Sequence, residues 1–411
     1  MARDLSGRGH QVIFYSGAQF EERVQATGVG FRAFPESVDF DFRDLDTHFP
    51  ERAALPPGRA RAAFELKEIA IKSIPSHVRR LQEILAAFPA DVLISEQTFF
   101  APLAAVRAAS REVRPRLVTL GIFSPMFQSV DTAPHGAAAA PMPGPDGVMR
   151  NVALNAEARR NFAEIQAVAN AAFTSAGSHL DGYLFDTVLR HSDYYLQLTV
   201  PGFEYPRSDA PSHFRFIGAI PPALGAATYE LPPWWPELSQ QRPVVALTQG
   251  TFANADFTEL LAPAIRGLAD LDVLVVAATA REDGPEMLRQ AVGETPDNVR
   301  VAGFVPFDRL LPLSDVLVTN GGYGGVQVAL QYGVPIVAAG AGEDKPEVGA
   351  RVEWSGVGMN LRTGTPRSSE VREAVRTIVG DSRYRSRAQA LRKEFGEYQP
   401  FDAIAAVVEA G

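Results

Sequence analysis

Short apolar runs alternate with amphipathic segments along the first half of the chain. Strand-like runs lie at 11–15, 29–34, 90–96, 116–123, 194–200 and 214–220. Between them, helical patterns occur at 19–28, about 62–87, 100–112 and 151–190. Runs that are apolar throughout are typical of strands buried on both faces, so this alternation predicts a parallel sheet covered by helices.

The same alternation restarts after residue 243. It predicts six strands, at 244–249, 273–279, 299–303, 315–320, 335–340 and 358–361, and helices near 256–268, 285–292, 307–312, 323–332, 345–355 and 368–380. The stretch 218–243 holds six prolines and little periodicity, which marks a linker. We therefore expect an α/β protein of two Rossmann-like domains, 1–217 and 244–385, with a cleft between them and a helical tail at 386–411.

Composition narrows the class of protein. Hydrophobic residues make up 46% and charged residues 21%, as in a globular enzyme. The net charge of −9, from 39 basic and 48 acidic residues, argues against a nucleic-acid partner. The lack of cysteine fits a reducing, cytoplasmic setting, and no apolar run reaches the roughly 18 residues of a membrane span.

Four glycines fall within the five positions 321–325, between a predicted strand and a predicted helix. A helix begins with unpaired N–H groups and a positive dipole end, and bare glycines let a phosphate reach them. The Gly-Lys-Ser/Thr of a P-loop is absent, and Gln327 breaks the dinucleotide pattern. A tight turn is the alternative, but the clustering favours an anion site at Gly321, Gly322, Gly324 and Gly325.

The stretch 298–361, which contains "VTNGGYGGVQVALQYGVP" and "GEDKPE", resembles the donor-binding signature of family-one glycosyltransferases. Bacterial members that glycosylate macrolides and other natural products are the most similar. Weaker matches, "GRGHQVIFYSG", "FPADVLISE", "DTAPHGAAAAP" and "VVALTQGT", follow in the family's order. The resemblance implies the GT-B fold, with an acceptor-binding first domain, a nucleotide-sugar-binding second domain and C-terminal helices that return to the first domain.

The resemblance also implies the reaction and the donor site. A sugar passes with inversion from a UDP or TDP sugar to a hydroxyl of a lipophilic small molecule, without a cofactor or a metal. The glycine loop would hold the diphosphate, and Asn320 stands where many relatives have a phosphate-contacting His. The further implied donor-binding residues are Gly250 and Thr251 beside the phosphate, Phe304 and Val305 at the base, and Asp344 and Lys345 at the sugar.

Two of these assignments have simpler structural alternatives. Phe304 could belong to the core, and "GEDKPE" could be an exposed helix start in which acidic residues favour the N–H ends. Lys345 departs from the Gln that the family carries there, so the identity of the sugar stays open. Glu343 could share the role of Asp344.

The catalytic group is less clear, because the family's general base is a His in the loop after the first strand. This chain begins beyond that point, so we expect that first strand and its loop to be missing from the given sequence. His10 follows a helix and is not assigned. Glu96 stands where the family's partner acid follows a strand; it could orient a His, act alone if burial raises its pKa, or be a solvated strand-end carboxylate.

Acceptor residues are expected in the first domain. Phe99, Phe123 and Phe127 could line an apolar pocket with the Pro- and Ala-rich loop 132–147, or each could be core. His135 in that loop is a remote substitute for the base. Acidic triplets at 39–41, 44–46 and 270–272 resemble a metal-binding motif of another fold, but none ends a predicted strand.

Two competing functions stay open at this point. A non-catalytic relative could bind a nucleotide sugar or assist a partner enzyme, which the lack of the His motif and Asn320 favour. A nucleotide-sugar epimerase is the other, although catalytic carboxylates near the glycine loop are not evident. The expected partners are a nucleotide sugar and a lipophilic acceptor, in a monomer or homodimer.

Overall fold

The structure, a computed structural model, describes residues 1–42, 44–56, 58–109, 113–221, 230–239, 242–251 and 254–410. The predicted linker 218–243 lies partly outside the described residues, at 222–229 and 240–241.

The strands fall close to the predicted apolar runs. Those of the first half are β1 (Ile13–Ser16), β2 (Gly30–Ala33), β3 (Val92–Glu96), β4 (Arg116–Gly121), β5 (Tyr194–Gln197) and β6 (Phe214–Phe216). Those of the second half are β7 (Val244–Thr248), β8 (Leu274–Ala278), β9 (Val299–Ala302), β10 (Val316–Thr319), β11 (Ile336–Ala338) and β12 (Gly358–Asn360).

Helices connect these strands throughout. In the first half they are α1 (Ala2–Gly7), α2 (Glu21–Gln25), α3 (Leu45–His48), α4 (Pro50–Ala53), α5 (Arg59–Phe64), α6 (Ile74–Ala87), α7 (Ala101–Arg107), α8 (Gly144–Asn161), α9 (Ala163–Ser175) and α10 (Leu184–His191). In the second half they are α11 (Leu261–Leu268), α12 (Gly284–Val292), α13 (Phe307–Leu310), α14 (Tyr323–Gln331), α15 (Lys345–Trp354), α16 (Ser368–Gly380), α17 (Ser382–Phe395) and α18 (Pro400–Glu409).

The second half folds as one parallel sheet in the order β12-β11-β10-β7-β8-β9. Every residue of β7, β8 and β10 is buried, because helices cover both faces of the sheet. Leu317 and Val318, neighbours on β10, belong to two different apolar clusters, as alternation along a strand requires. The predicted α/β class with parallel sheets is confirmed.

The strands of the first half form two sheets instead of one continuous sheet. β3-β4-β5-β6 form one parallel sheet, while β1 and β2 pair with each other in a separate one. The two sheets nevertheless share their apolar clusters: Tyr15 and Leu93 pack in one, and Val12 and Val92 in the other.

Several predicted boundaries move, and two of them bear on the loops described below. The helix expected at about 62–87 is divided into α5, a π-helical segment (Glu65–Ile71) and α6, which has Pro75 in its first turn. Proline lacks the N–H that a continuous helix would need there. The loop expected at 132–147 ends at Pro143, where α8 begins.

Of the C-terminal helices, α18 returns to the first domain, as expected. Leu391 and Phe395 of α17 pack in a cluster of the second sheet. Ile404 and Val407 of α18 instead pack with Val118 of β4 under the first sheet. Across the described residues, no helix combines the length and the apolar character that a membrane crossing needs.

Candidate active site

The carboxyl ends of the two large sheets meet at the start of α14. Gln197, the last residue of β5, donates from Nε2 to the hydroxyl of Tyr323 at 3.1 Å and to the carbonyl of Phe123 at 2.8 Å. Thr199 donates from Oγ1 to Oε1 of Gln327 at 2.7 Å. Open α/β sheets bind ligands in the crevice at the carboxyl ends of their parallel strands, so we expect the active site here.

The glycine loop forms the turn from β10 into α14. Gly321 has a φ of +83°, a conformation that a side chain would strain. Its N–H donates to Oγ1 of Thr319 at 3.3 Å, and the N–H of Gly322 donates to Oδ1 of Asn320 at 3.4 Å. The residue at the start of α14, Gly322, has no side chain with which to cap the helix.

Gly324 and Gly325 are exposed in the first turn of α14, and a Cβ atom on either would meet nothing within 4 Å. The first N–H groups of a helix have no partner within the helix. Open space therefore borders the first turn of α14, at the positive end of the helix dipole, which is an arrangement that attracts an anion.

Asn320 connects the glycine loop to the end of β7. It is 8% exposed, and its Nδ2 donates to the carbonyl of Gln249 at the end of β7. A Cβ atom on Gly250, whose φ is +81°, would lie 3.2 Å from that Nδ2. The structure thus brings Gly250, Asn320 and Gly321 together, with the Asn320 amide holding two strand ends in register.

Lys345 and Asp344 lie at the start of α15. Lys345 is buried, with its stem against Gly340 and its ammonium paired with Glu343. Burial raises the pKa of Asp344 to about 6, opposed by the charge of Lys345. Among the described residues, nothing hydrogen-bonds to the buried Oδ2 of Asp344, so it is ready to accept a hydrogen bond from a ligand.

Gly340 was not predicted as a site residue. A Cβ atom there would lie 2.0 Å from the carbonyl oxygen of Asn320, so only glycine fits between the loop and Lys345. The sequence signal was present, since Gly340 ends the apolar run just before "GEDKPE".

Phe304 and Val305 follow β9. Phe304 is 50% exposed, whereas Val305 packs against the core of the second sheet. Thr251 is exposed beyond β7. Half of the Phe304 side chain is exposed, in contrast to the core alternative.

Glu96 ends β3. Its carboxylate accepts from the N–H of Thr98 at 2.7 Å and from the hydroxyl of the same residue at 2.8 Å. Burial raises the pKa of Glu96, although these hydrogen bonds oppose the shift. The side chain is therefore a partly buried carboxylate with a raised pKa rather than a solvated one.

The expected acceptor residues separate into two groups. The ring of Phe99 stacks on Phe34 at 5.7 Å, and the carbonyl of Phe123 accepts from Gln197. Phe127, in contrast, is 5% exposed and packs on Tyr195 and Phe214 within the core, so its ring is not available to an acceptor.

His135 lies in the loop before α8, and its Nδ1 is 3.3 Å from Oγ of Ser124. Burial lowers the pKa of His135 to about 4, so the ring is neutral at physiological pH. Across the part of the chain that the structure describes, no three His, Asp or Glu side chains form a group that could hold a metal ion.

Sequence reasoning missed a set of buried charges beside the cleft. Arg351 of α15 pairs with Glu204 of the first half and, at 2.7 Å, with Glu347 on its own helix. Its guanidinium lies 4.1 Å from the ring centroid of Tyr205. The side chains of Arg351, Glu204 and Glu347 are at most 5% exposed, so these ions are inside the contact between the halves.

Comparison with known proteins finds relatives along the whole chain. Residues 264–409 match the C-terminal domain of erythromycin biosynthesis protein CIII-like proteins. The chain is 37% identical over 412 residues to 4'-demethylrebeccamycin synthase of Lentzea aerocolonigenes, covering 100% of this chain and 94% of that protein. It is 35% identical over 417 residues to UDP-glycosyltransferase 2 of Phaeomoniella chlamydospora, covering 99% and 90%.

Solved structures agree in fold. The calicheamicin glycosyltransferase CalG4 aligns with a TM-score of 0.72 at 19% identity, covering 99% of this chain and 92% of that one. The spinosyn rhamnosyltransferase SpnG, complexed with thymidine diphosphate, aligns with a TM-score of 0.67 at 15% identity, covering 99% and 94%. The chain therefore has the GT-B fold and belongs to the family of nucleotide-sugar-dependent natural-product glycosyltransferases that these relatives represent.

Proposed function

We propose that this glycosyltransferase moves a sugar, with inversion, from a UDP or TDP sugar to a hydroxyl group of a lipophilic small molecule. The observation that carries the proposal is the open, uncapped start of α14, where Gly324 and Gly325 are exposed. Relatives support the donor class, since one is named a UDP-glycosyltransferase and a structural neighbour is complexed with thymidine diphosphate.

The donor lies along the carboxyl edge of the second sheet. Its diphosphate accepts hydrogen bonds from the first N–H groups of α14, and the base stacks on the exposed ring of Phe304. A sugar hydroxyl donates to the unpartnered Oδ2 of Asp344. Lys345 and Glu343 lie beside Asp344, so the sugar contacts charged groups of both signs.

The chemical step is a single displacement. The acceptor oxygen forms a bond to the anomeric carbon while the bond from that carbon to the diphosphate oxygen breaks, through an oxocarbenium-like transition state. The acceptor proton passes to a general base, and the N–H groups of α14 stabilise the charge that develops on the leaving diphosphate. Glu96 is the proposed base, because it ends β3 with a raised pKa.

The acceptor lies against the first sheet. Phe99 packs with Phe34, Tyr15 and His77 in an aromatic group, and Tyr15 hydrogen-bonds to Nδ1 of His77 at 2.8 Å. Burial lowers the pKa of His77 to about 4, so the group carries no charge at neutral pH. Such a wall suits an aromatic or polyketide-like acceptor, in line with a structural neighbour solved with the spinosyn aglycone.

The proposal is tested by titrating UDP and TDP sugars and by measuring transfer to a panel of phenolic acceptors. We expect Glu96→Gln to lower the transfer rate by about 10²–10⁴-fold with the donor Kd unchanged. Glu83→Gln is the matched control, because Glu83 is an exposed carboxylate paired with Arg80. Donor binding without turnover would instead support a non-catalytic nucleotide-sugar-binding protein, and transfer by the Glu96→Gln variant at the parent rate would remove Glu96 as the base.

A further inference from the structure

The loop that precedes α8 is held by both halves of the fold. On its first-half side, Asp209 accepts from the hydroxyl of Ser129 at 2.6 Å and from the N–H of Val130 at 2.9 Å. Further along, the N–H groups of Gly136 and Ala138 donate to one oxygen, Oε1 of Glu347, at 2.8 and 2.6 Å. Glu347 lies on α15, so the loop spans from the first half to the second.

The carboxylate of Glu347 is also held by a buried cation. Its other oxygen accepts from Nη1 of Arg351 at 2.7 Å, and Arg351 also pairs with Glu204. Arg207 reaches the same Glu204 at 3.4 Å. Because these charges are buried and paired, the carboxylate of Glu347 has one orientation, which presents Oε1 to the loop.

The loop adopts an unusual backbone to meet that oxygen. Gly136 has a φ of +91° and Ala138 a φ of +48°, and the second value is uncommon for a residue with a side chain. A strained backbone persists only where its surroundings hold it. Here two N–H groups converge on one carboxylate oxygen, and Arg59 donates to the carbonyl of Gly136 from a third direction.

The contact between Glu347 and the loop lies next to the proposed sugar-binding residues. It lies in the first turn of α15, directly after Asp344 and Lys345, which are the proposed sugar contacts. The loop it holds carries His135, which reaches Ser124 at the end of the first sheet. One carboxylate therefore joins this loop of the first half to the helix that begins at the proposed sugar contacts.

We propose that Glu347 is a positioning residue, which fastens the loop across the cleft so that the acceptor is held and water is kept from the donor sugar. The inference rests on the proposed function, because it assumes that this cleft is where the sugar is transferred. Glu347 does not touch the substrate; it acts through the N–H groups of Gly136 and Ala138. A loosened loop leaves the donor bound but lets water compete with the acceptor.

The test compares Glu347→Ala with the parent protein. Loss of a charge-assisted contact of this kind should raise the acceptor KM by about tenfold and lower the ratio of transfer to donor hydrolysis by a similar factor. The donor Kd should stay within about twofold, by the same affinity arithmetic. Hydrogen–deuterium exchange of peptides covering 133–140 should become faster, which reports on the loop without relying on activity.

Two further variants keep the test decisive. Arg59→Ala changes an exposed residue that holds the same loop from outside, so it should shift exchange and acceptor KM in the same direction even where Glu347→Ala does not fold. Glu347→Gln keeps one oxygen, which the loop N–H groups or Arg351 can use but not both, so it should recover only part of the acceptor KM. Glu353→Ala, on the same helix but exposed and paired with Arg362, is the matched control and should behave as the parent.

The outcomes separate the two proposals. Unchanged loop exchange and acceptor KM in both Glu347→Ala and Arg59→Ala would overturn the inference while leaving transfer by the parent intact. Acceptor KM and donor Kd that rise in parallel would also overturn it, since that pattern indicates general damage. A parent protein that neither binds nor hydrolyses a nucleotide sugar would overturn the proposed function itself.

Discussion

Replacing Gly324 by alanine adds a single methyl group at the start of α14. Nothing lies within 4 Å of the position that the new Cβ would take, so the protein itself has room for it. Alanine is favoured over glycine in a helix by up to about 1 kcal/mol, and we expect a gain of about 0.5 kcal/mol in the free energy of unfolding for a first-turn position. A mutation that fills a packed core would do the opposite.

The same methyl group should obstruct the ligand. A Cβ atom in a helix tilts towards the N-terminal end, which is the space where the diphosphate approaches the N–H groups. Loss of one hydrogen bond to a charged oxygen costs about 1.5–3 kcal/mol, or roughly a 10- to 150-fold rise in Kd. Gly324→Ala should therefore be slightly more stable than the parent and yet bind nucleotide sugar much more weakly.

Calorimetric titration with UDP and TDP, together with thermal unfolding, measures both effects. Gly380→Ala is the matched control: it also has open space around its Cβ, but it lies at the end of α16, away from the cleft. Unchanged affinity in both Gly324→Ala and Gly325→Ala would refute the reasoning, because it would show that no phosphate approaches this turn.

Other variants test the charges around the cleft. Burial raises the pKa of Asp344 from 3.8 to about 6, so this carboxyl favours the folded state below pH 4 and that contribution is lost as the pH rises through 6. Asp344→Asn should thus gain up to about 3 kcal/mol over the parent between pH 4 and pH 8 in urea unfolding, and a pH-independent difference would contradict this origin. Arg351→Met should lower the free energy of unfolding by about 3–5 kcal/mol, since Glu347 would lose its buried cation and Glu204 would keep only Arg207. Arg351→Met with Glu347→Gln should recover part of the loss, and no recovery would argue against the charge explanation.

The sequence predicted the second half of the fold well, because its strands are short apolar runs bounded by glycine and proline. β10 and α14 lie where "DVLVTN" and "VQVALQYG" indicated, and α16 spans the predicted 368–380. The family resemblance was carried by the same region, and the comparisons confirm it. Local pattern is sufficient where each strand is buried on both faces.

Contacts between distant residues could not be predicted in this way. Glu347 and Arg351 are four residues apart on α15 and resemble an exposed helical ion pair, because their buried partner Glu204 lies far upstream in the sequence. Phe127 carried no signal that separates a core ring from a pocket ring. The role of Asn320 as a brace depends on the carbonyl of Gln249, which only the pairing of β10 with β7 brings near.

The path of the last helix has a practical consequence for recombining such enzymes. α18 follows the second sheet in sequence, yet Ile404 and Val407 fill the underside of the first sheet, and Arg116 of β4 donates to the carbonyl of Val408. A chimera that exchanges only residues 1–217 would therefore pack the first sheet of one protein against the last helix of another. Exchanging residues 400–409 together with the N-terminal half would keep the contact between α18 and the first sheet within one parent sequence. The unit to exchange is therefore two separate segments of the chain.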